Sequence, residues 1–414
     1  MSEPIRVLHF ADTHIGMENY GKIDSESGLS RRVQDYLRCI DEMIEHARGR
    51  DVDLVVFAGD AFRSRNPDPT QQRAFAQRIR TLAQLAPTVL LAGNHDLPVN
   101  AAKASTMDIY HTLDVPNIWV ALDYELRRIS TKRGDVIVGA APYPIRARLL
   151  GDVSRRGLTI AEQEAELEGI LGEKLAELAY QAEALADEAT PRLLTGHFSV
   201  AGAVWGSERL VMLGRDATVD LEALADPRWD YVALGHIHRH QNLTKDRSDA
   251  PPVVYCGSPE RIDFGEEAEI KGFCWVELAR GGTDWQFIES KARARRTLRV
   301  DCRASESPTR RTLDALKQQS LDETILRLEL RLTPESEALL DESAIIAALK
   351  RAGVFHIAGI RKDVERGGRA RLGRSPEGLS PLELLARYFE IRDVDAARRE
   401  ALLERAREIV EGTR

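Results

Sequence analysis

The stretch Thr88-Val89-Leu90-Leu91-Ala92 runs directly into Gly93-Asn94-His95-Asp96. A short, β-branched and leucine-rich run that stops at a glycine reads as a buried strand emptying into a loop. Loops held by a rigid sheet are where chemistry tends to be placed. This one presents an amide, an imidazole and a carboxylate in succession. An amide oxygen is an unusual metal ligand, and an imidazole beside it can move a proton. The stretch makes sense only if other parts of the chain bring metal ligands to it.

Working outward, the pattern recurs. A first strand at 5–10 ends in Ala11-Asp12-Thr13-His14, and a helix near 30–49 carries Val33, Leu37, Ile40 and Ile44 at helical spacing. Leu54-Val55-Val56-Phe57-Ala58 is a second buried strand, followed by Gly59-Asp60. Thr70, after Pro67-Asp68-Pro69, is expected to cap a helix over 71–86. Arg192-Leu193-Leu194-Thr195 ends in Gly196-His197, and Tyr231-Val232-Ala233-Leu234 ends in Gly235-His236-Ile237-His238. Further strands are expected at 117–121, 135–140, 252–256 and 272–278. A long helix over 161–189 has Leu167, Leu171, Leu175, Leu178, Ala182 and Leu185 on one stripe, expected to pack across a sheet face, with a dimer contact as the alternative. Strands alternating with helices, with polar residues after each strand, predict an α/β fold whose site lies along one rim of the sheet.

At 414 residues the chain exceeds one hydrophobic core, so two or three domains are expected. It is 43% hydrophobic and 30% charged, and no apolar run approaches the ~20 residues of a membrane helix. The first residues have no secretory pattern, and Cys39, Cys256, Cys274 and Cys302 are scattered without metal spacing. These features predict a cytoplasmic protein with reduced cysteines. A net charge of −8 argues against a uniformly basic coat and allows a local basic groove. Basic clusters at Lys291, Arg293, Arg295, Arg296 and Arg299, and at Arg361, Lys362, Arg366, Arg369, Arg371 and Arg374, read most simply as solvated linkers.

The pattern changes near residue 290. Strands at 297–302, 323–332 and 354–361, with helices near 308–319 and 343–352, suffice for a small α+β domain. The expected division is 1–290, 291–362, a basic linker at 363–380, and a helical segment at 381–414. Its two amphipathic helices, near 381–390 and 394–411, carry Leu382, Leu385, Tyr388 and Phe389, then Leu402, Leu403, Ile409 and Val410. So short a pair cannot bury both apolar faces alone; it packs back on the chain or meets a partner.

Five strand ends thus carry ligand-type residues: Asp12 and His14, Asp60, Asn94 and His95, His197, then His236 and His238. Each alone is a common turn. With His95 set apart, they are three carboxylate-or-amide groups and four histidines, a set suited to two divalent ions. Mixed carboxylate and imidazole donors favour Mn, Fe or Zn over Mg. In extended backbone, residues i and i+2 face one side, so Asp12-x-His14 and His236-x-His238 can each address one pocket. Two metals about 3.5–4 Å apart, bridged by a carboxylate, can hold a phosphoester and lower the pKa of a water. Asp60 suits the bridge, and His95 is free to protonate a leaving oxygen. His240, two residues beyond the last pair, reads as structural.

In order and context these five motifs resemble those of the calcineurin-like metallophosphoesterases. The segment Gly257-Ser258-Pro259-Glu260-Arg261-Ile262-Asp263-Phe264-Gly265-Glu266 with Lys271-Gly272-Phe273, the small domain after it, and Pro381-Leu382-Glu383-Leu384-Leu385 are similar to features of SbcD-type nuclease subunits of SbcC–SbcD DNA-break-processing complexes. The resemblance implies a four-layer α/β/β/α sandwich, a small α+β capping domain and a C-terminal helical pair. It implies Asp12, His14 and His238 on one metal, Asn94, His197 and His236 on the other, and Asp60 between, with two Mn2+ ions as cofactor. It makes His95 the general acid or leaving-group stabiliser; Asp96 is read as a partner that orients the loop behind the ligands. The implied activity is 3′→5′ exonuclease on duplex DNA ends and endonuclease on single strands or hairpins, in double-strand break repair. The implied partners are DNA ends, a coiled-coil SbcC-type ATPase held by helices 381–411, and a second copy of the chain. The other readings are a generic phosphoesterase of small substrates and a non-catalytic DNA-end tether. Where several relatives carry a second catalytic histidine, three residues after the bridging aspartate, this chain has Arg63. Arg63 is a candidate phosphate clamp or a plain surface arginine. Lys22, in the first polar loop, is a second candidate DNA contact.

Overall fold

Val7, Leu54, Val56 and Val89 turn one way from three neighbouring strands, while Leu8, Val55 and Leu90 turn the other, and all seven are buried. A sheet whose two faces are both apolar must be covered on both sides. This one is, and the covering layers define the fold. The computed structural model describes residues 3–98, 103–150, 159–206, 217–365, 380–392 and 394–411. It divides into two units, one of Met1–Thr297, Glu323–Leu326 and Phe355–Ala358, the other of Leu298–Asp322, Arg327–Val354 and Gly359–Arg414.

In the first unit, one six-stranded sheet has the order Asp284–Glu289, Gly272–Leu278, Ile5–Phe10, Leu54–Phe57, Thr88–Leu91, Ile118–Ala121. The last four are mutually parallel, and Gly272–Leu278 runs antiparallel to Ile5–Phe10. A second six-stranded sheet has the order Gln241–Asn242, Val253–Tyr255, Tyr231–Gly235, Arg192–His197, Gly134–Ala141, Glu125–Thr131. Its four inner strands are parallel and its two outer strands antiparallel.

The two sheets face each other across a core that includes Val7, Val56, Val89, Val138, Leu193, Ala233 and Val276. Helices Arg31–Gly49 and Pro69–Leu85 cover the outer face of the first sheet through Val33, Ile40, Phe75 and Ile79. Helix Ile160–Leu185 covers the second through Leu167, Leu171, Leu175 and Leu178. The result is the expected α/β/β/α order. Each fully buried aliphatic side chain in these layers contributes roughly 1.5–3 kcal/mol. The leucine stripe stops at Ala182, because Leu185 at the helix end is exposed.

Three local expectations need correction. Asp68, not Thr70, caps the second helix: its carboxylate accepts the Thr70 N–H at 2.7 Å, with Pro69 inside the first turn. Proline has no N–H to satisfy there, so it starts the helix two residues early. Strands Glu125–Thr131 and Asp284–Glu289 are additional to those expected; both are edge strands with mixed polar sequences, so neither carries a buried run.

A polar contact also lies inside the sandwich. His9 on the first sheet contacts Tyr231 Oη (3.1 Å) and the Leu234 carbonyl (3.2 Å) on the second. Burial holds this imidazole neutral, with its pKa down at about 3. The neutral ring donates to the carbonyl and accepts from the phenol, which fastens one sheet to the other.

In the second unit, Leu328, Leu330 and Leu332 alternate inward along strand Ile325–Leu332, the centre of a three-stranded sheet with Arg295–Asp301 and His356–Val364. Helices Pro308–Lys317 and Glu342–Arg351 bury Thr312 and Leu316, and Ile345 and Leu349. Most of the expected linker, at 366–379, lies outside the described residues. Helices Pro381–Ile391 and Ala396–Glu411 pack on each other, the first capped by Ser380 with Glu383. Among the described residues neither helix has a buried side chain, and Tyr388, Leu402, Ile409 and Val410 are exposed. No helix of the described residues is long and apolar enough to cross a membrane. The four cysteines are free and buried.

Candidate metal centre

Three parallel strands of the first sheet, Ile5–Phe10, Leu54–Phe57 and Thr88–Leu91, and two of the second, Arg192–His197 and Tyr231–Gly235, bring their C-terminal ends together, so five loops meet there. The backbone does not meet the site in extended form. Asp12, His14, Asp60 and His236 all have positive φ, at 53°, 39°, 59° and 99°. They are four of the nine non-glycine residues with positive φ among those described, so strain is concentrated here. The expectation that Asp12-x-His14 and His236-x-His238 aim their side chains by simple strand alternation is therefore replaced by left-handed turns. Cross-bonds hold the turns: Asp12 N–H to the Gly59 carbonyl (2.9 Å), His14 N–H to the Asp60 carbonyl (3.2 Å) and Ile15 N–H to the Ala61 carbonyl (2.8 Å).

Two glycines are required by close approach. A Cβ on Gly93 would stand 2.1 Å from Asp60 Oδ1, and one on Gly59 would stand 2.4 Å from His197 Nδ1. Asp96 lies behind the loop, 1% exposed, and accepts the N–H groups of Ala61, Phe62 and Gly93. It ties the Asp60 turn to the Asn94 turn.

The donor atoms converge in two trios. Asp12, His14 and His238 form one group that could hold a metal ion; Asp60, His197 and His236 form another; both are buried. Asp60 Oδ2 stands between, 3.7 Å from His14 Nε2 and 3.4 Å from His197 Nε2. Asn94 Oδ1 lies 3.3 Å from His197 Nε2 and 3.1 Å from His236 Nδ1, so the amide belongs with the second trio. His14 Nε2 and His238 Nε2 are 3.0 Å apart.

The orientation of the rings tests whether a cation fits. His197 Nδ1 is 2.6 Å from the Ala58 carbonyl, which can only accept, so this nitrogen carries the proton. Its Nε2 then turns a lone pair toward Asp60 Oδ2 and Asn94 Oδ1, two further acceptors. His238 Nδ1 donates to Glu266 Oε1 at 3.0 Å, leaving its Nε2 lone pair toward His14. Acceptors facing acceptors in a buried site are satisfied by a cation, so the donor set fits metal ions. Protons are the alternative filling. Burial opposes charge on Asp60 and His197, but their mutual attraction wins, drawing Asp60 well below the ordinary carboxylate range and His197 up to about 9. Burial, with the Asp60 charge added, pushes Asp96 up to about 7. His14 is held well below its usual value by burial and by His238.

His95 is half-buried at the rim. Its Nδ1 donates to the Arg63 carbonyl at 2.8 Å, and its N–H donates to Asp60 Oδ1 at 2.9 Å. The ring stands edge-on to His14, centroids 5.0 Å apart, and also groups with His14 and Asp60 as a third set able to hold an ion. Arg63 thus serves the site through its backbone, while its side chain is exposed beside a cavity of about 530 Å³ lined by Ile15, Gly16, Ser64 and Gln71. Lys22 is exposed on the polar loop and takes no part in the convergence. His240 stacks on Phe287 at 4.1 Å and donates to the Tyr255 carbonyl, a packing role.

For some contributors the sequence does not show which site residue they serve. The Ala58 carbonyl orients His197, and Glu266 orients His238 from 28 positions away. Tyr143 and Trp205 flank His236, with ring centroids at 5.9 and 5.8 Å.

A paired-sheet sandwich with carboxylate and imidazole donors at one rim defines a metallophosphoesterase. The model of the calcineurin-like phosphoesterase family matches residues 5–240, more than half of the chain, and the chain belongs to that family. Among its relatives, the SbcD subunit of the SbcCD nuclease from Bacillus subtilis is 29% identical over 293 residues, 69% of this chain and 69% of the relative. The protein of the same name from Escherichia coli K12 is 29% identical over 284 residues, 67% of this chain and 66% of the relative. DNA double-strand break repair protein Mre11 of Haloferax volcanii is 22% identical over 365 residues, 88% of this chain and 69% of the relative. The alignments span about two thirds of these relatives' lengths.

Proposed function

We propose that the chain is a DNA nuclease that uses two divalent cations, Mn2+ foremost, and that it is the nuclease subunit of an SbcC–SbcD-type complex in the cytoplasm. The observation that carries this reading is the convergence of seven donors from five strand ends, with Asp60 Oδ2 between the two trios. The names of the relatives support DNA as the substrate. Asp12, His14 and His238 would hold one ion, Asn94, His197 and His236 the other, and Asp60 would serve both. When bound, such a pair supplies positive charge to a phosphodiester and a water of lowered pKa.

The remaining roles fall to side chains. His95, anchored through Nδ1 on the Arg63 carbonyl, keeps Nε2 for the substrate and gives a proton from that nitrogen to the leaving oxygen. The Arg63 guanidinium pairs with phosphate oxygens, and Lys22 adds a backbone contact that reads no sequence. The activity is 3′→5′ on duplex ends and endonucleolytic on single strands and hairpins. Residues 1–290 are the nuclease domain, 291–362 the cap and 363–380 a linker. Helices 381–411 lay their exposed apolar side chains against a coiled-coil ATPase, and the nuclease works as a homodimer.

The test is hydrolysis by the purified chain, with manganese, of blunt duplex, hairpin and single-stranded DNA beside a small phosphodiester. Nucleotide release from DNA supports the proposal. Rapid hydrolysis of the small ester with no attack on DNA would assign a small-molecule phosphoesterase instead. His95→Ala should bind manganese normally and lose about 10²–10⁴ in turnover; weakened metal binding would make His95 a ligand. Deleting residues 376–414 should abolish capture of the ATPase and leave manganese-dependent cleavage intact.

A further inference from the structure

The two trios are anchored differently. His197 turns its outer nitrogen to a neutral acceptor, the Ala58 carbonyl, at 2.6 Å. His238 turns its outer nitrogen to a carboxylate, Glu266 Oε1, at 3.0 Å. Glu266 is fully buried, and its other oxygen accepts the Ile262 N–H at 2.7 Å and faces the Lys271 ammonium at 3.0 Å. Lys271 is 1% exposed; it also donates to the His238 carbonyl at 3.1 Å and to Glu269 at 2.8 Å. One buried ammonium thus serves two carboxylates, and the couple grips His238 at both ring and backbone.

Desolvating an ion pair is costly, and it usually adds little to stability over an apolar pair. Its position here gives it another use. A carboxylate on the outer nitrogen of a ligating imidazole fixes the tautomer that leaves the inner lone pair free, and it makes that lone pair more basic. The inner donors differ in the same sense. The trio with His238 contains the Asp12 carboxylate, whereas the trio with His197 is completed by the neutral Asn94 amide, and Asp60 is shared. Negative charge is therefore weighted to one side of the centre.

We infer that Glu266, held by Lys271, is a positioning residue for His238, and that the Asp12–His14–His238 pocket takes its divalent cation first and more tightly than the Asn94–His197–His236 pocket. This rests on the metal reading of the site proposed above and adds an order of loading to it. The segment that supplies Glu266 and Lys271 is thereby part of the metal-binding apparatus, although neither residue is a ligand.

The experiment is a titration of the metal-free full chain, with Mn2+ followed by calorimetry and with diamagnetic Zn2+ followed by NMR of labelled histidines. The first equivalent of Zn2+ should shift the ring-nitrogen resonances of His14 and His238 before those of His197 and His236. Glu266→Gln keeps the shape and removes the charge. It should weaken the tighter event by about 10–100-fold and leave the weaker one within about twofold. Glu266→Asp, which keeps the charge but draws it back, should fall between, and it replaces the glutamine variant if that chain does not fold. Simultaneous shifts of all four histidines with Zn2+, or equal weakening of both events, would overturn the inference while leaving the metal reading in place. A wild-type chain that takes up no manganese would overturn the metal reading itself, and this inference with it.

Discussion

The two sheets contribute to the centre in opposite ways. The first supplies Asp12, Asp60 and Asn94, every carboxylate and amide of the donor set, together with His14 and His95; the second supplies only the imidazoles of His197, His236 and His238. The first sheet's loops also hold one another, through the cross-bonds between residues 12–15 and 59–61 and through Asp96. The second sheet's histidines are keyed onto the first: the His236 N–H donates to the Asp12 carboxylate at 3.0 Å, and His197 Nδ1 donates to the Ala58 carbonyl. One half is a self-supporting scaffold, and the other is a set of ligands oriented by it. A site of this kind exists only while the sheets are docked, so the core between them serves the chemistry as well as stability.

Breaking the scaffold half should cost the most. Asp60→Ala removes the carboxylate that stands between the two trios; manganese uptake should fall from two ions to at most one weakly held ion, with hydrolysis near background, read by equilibrium dialysis and nucleotide release. If both ions were retained, the shared role of Asp60 would be refuted. Gly93→Ala comes next. Its Cβ would press within 2.1 Å of Asp60 Oδ1 and 2.5 Å of Asp60 N, displacing the carboxylate without removing it. Turnover should drop by about a hundredfold, the usual cost of misplacing a reacting group by an ångström, while the chain still folds, as circular dichroism would report.

The smallest effect comes from the fastening between the sheets. His9 is neutral in the folded chain, with a pKa near 3, and titrates near 6.5 when unfolded. Below about pH 6.5 the unfolded chain takes up a proton that the folded chain refuses, so folding loses up to ~1.4 kcal/mol per pH unit on the way down to about pH 3. His9→Gln removes that component. In urea unfolding the variant should be less stable than wild type near pH 8, yet lose stability less steeply between about pH 6.5 and 4. Parallel profiles would mean that His9 is not the group responsible.

The same contrast explains what the sequence made legible. Strand ends of the scaffold half announce themselves locally: a buried run, then a glycine, then a ligand-type residue, as in Phe57-Ala58-Gly59-Asp60. The four layers follow from strands apolar on both faces and from the leucine stripe of Ile160–Leu185. Orientation was not legible, because it depends on partners far away in the chain. Nothing beside His238 points to Glu266, and nothing beside His197 points to the Ala58 carbonyl. The positive φ angles at Asp12, His14 and Asp60 depend on bonds between separate loops, so strand alternation was the wrong geometric argument, and it joined His236 to His238, which the structure divides between the two trios. His9 looks like one more strand residue until Tyr231 and Leu234 face it. The edge strands were missed because Glu125–Thr131 and Asp284–Glu289 have one face in solvent and no apolar run to mark them.

The central claim is that one carboxylate, Asp60, joins two cation positions contributed by two sheets. Electron paramagnetic resonance of the manganese-saturated chain tests it directly. The expected spectrum is a spin-coupled signal from two ions sharing a bridging carboxylate, lost in Asp60→Ala. A spectrum of isolated, non-interacting manganese in the wild-type chain would contradict it.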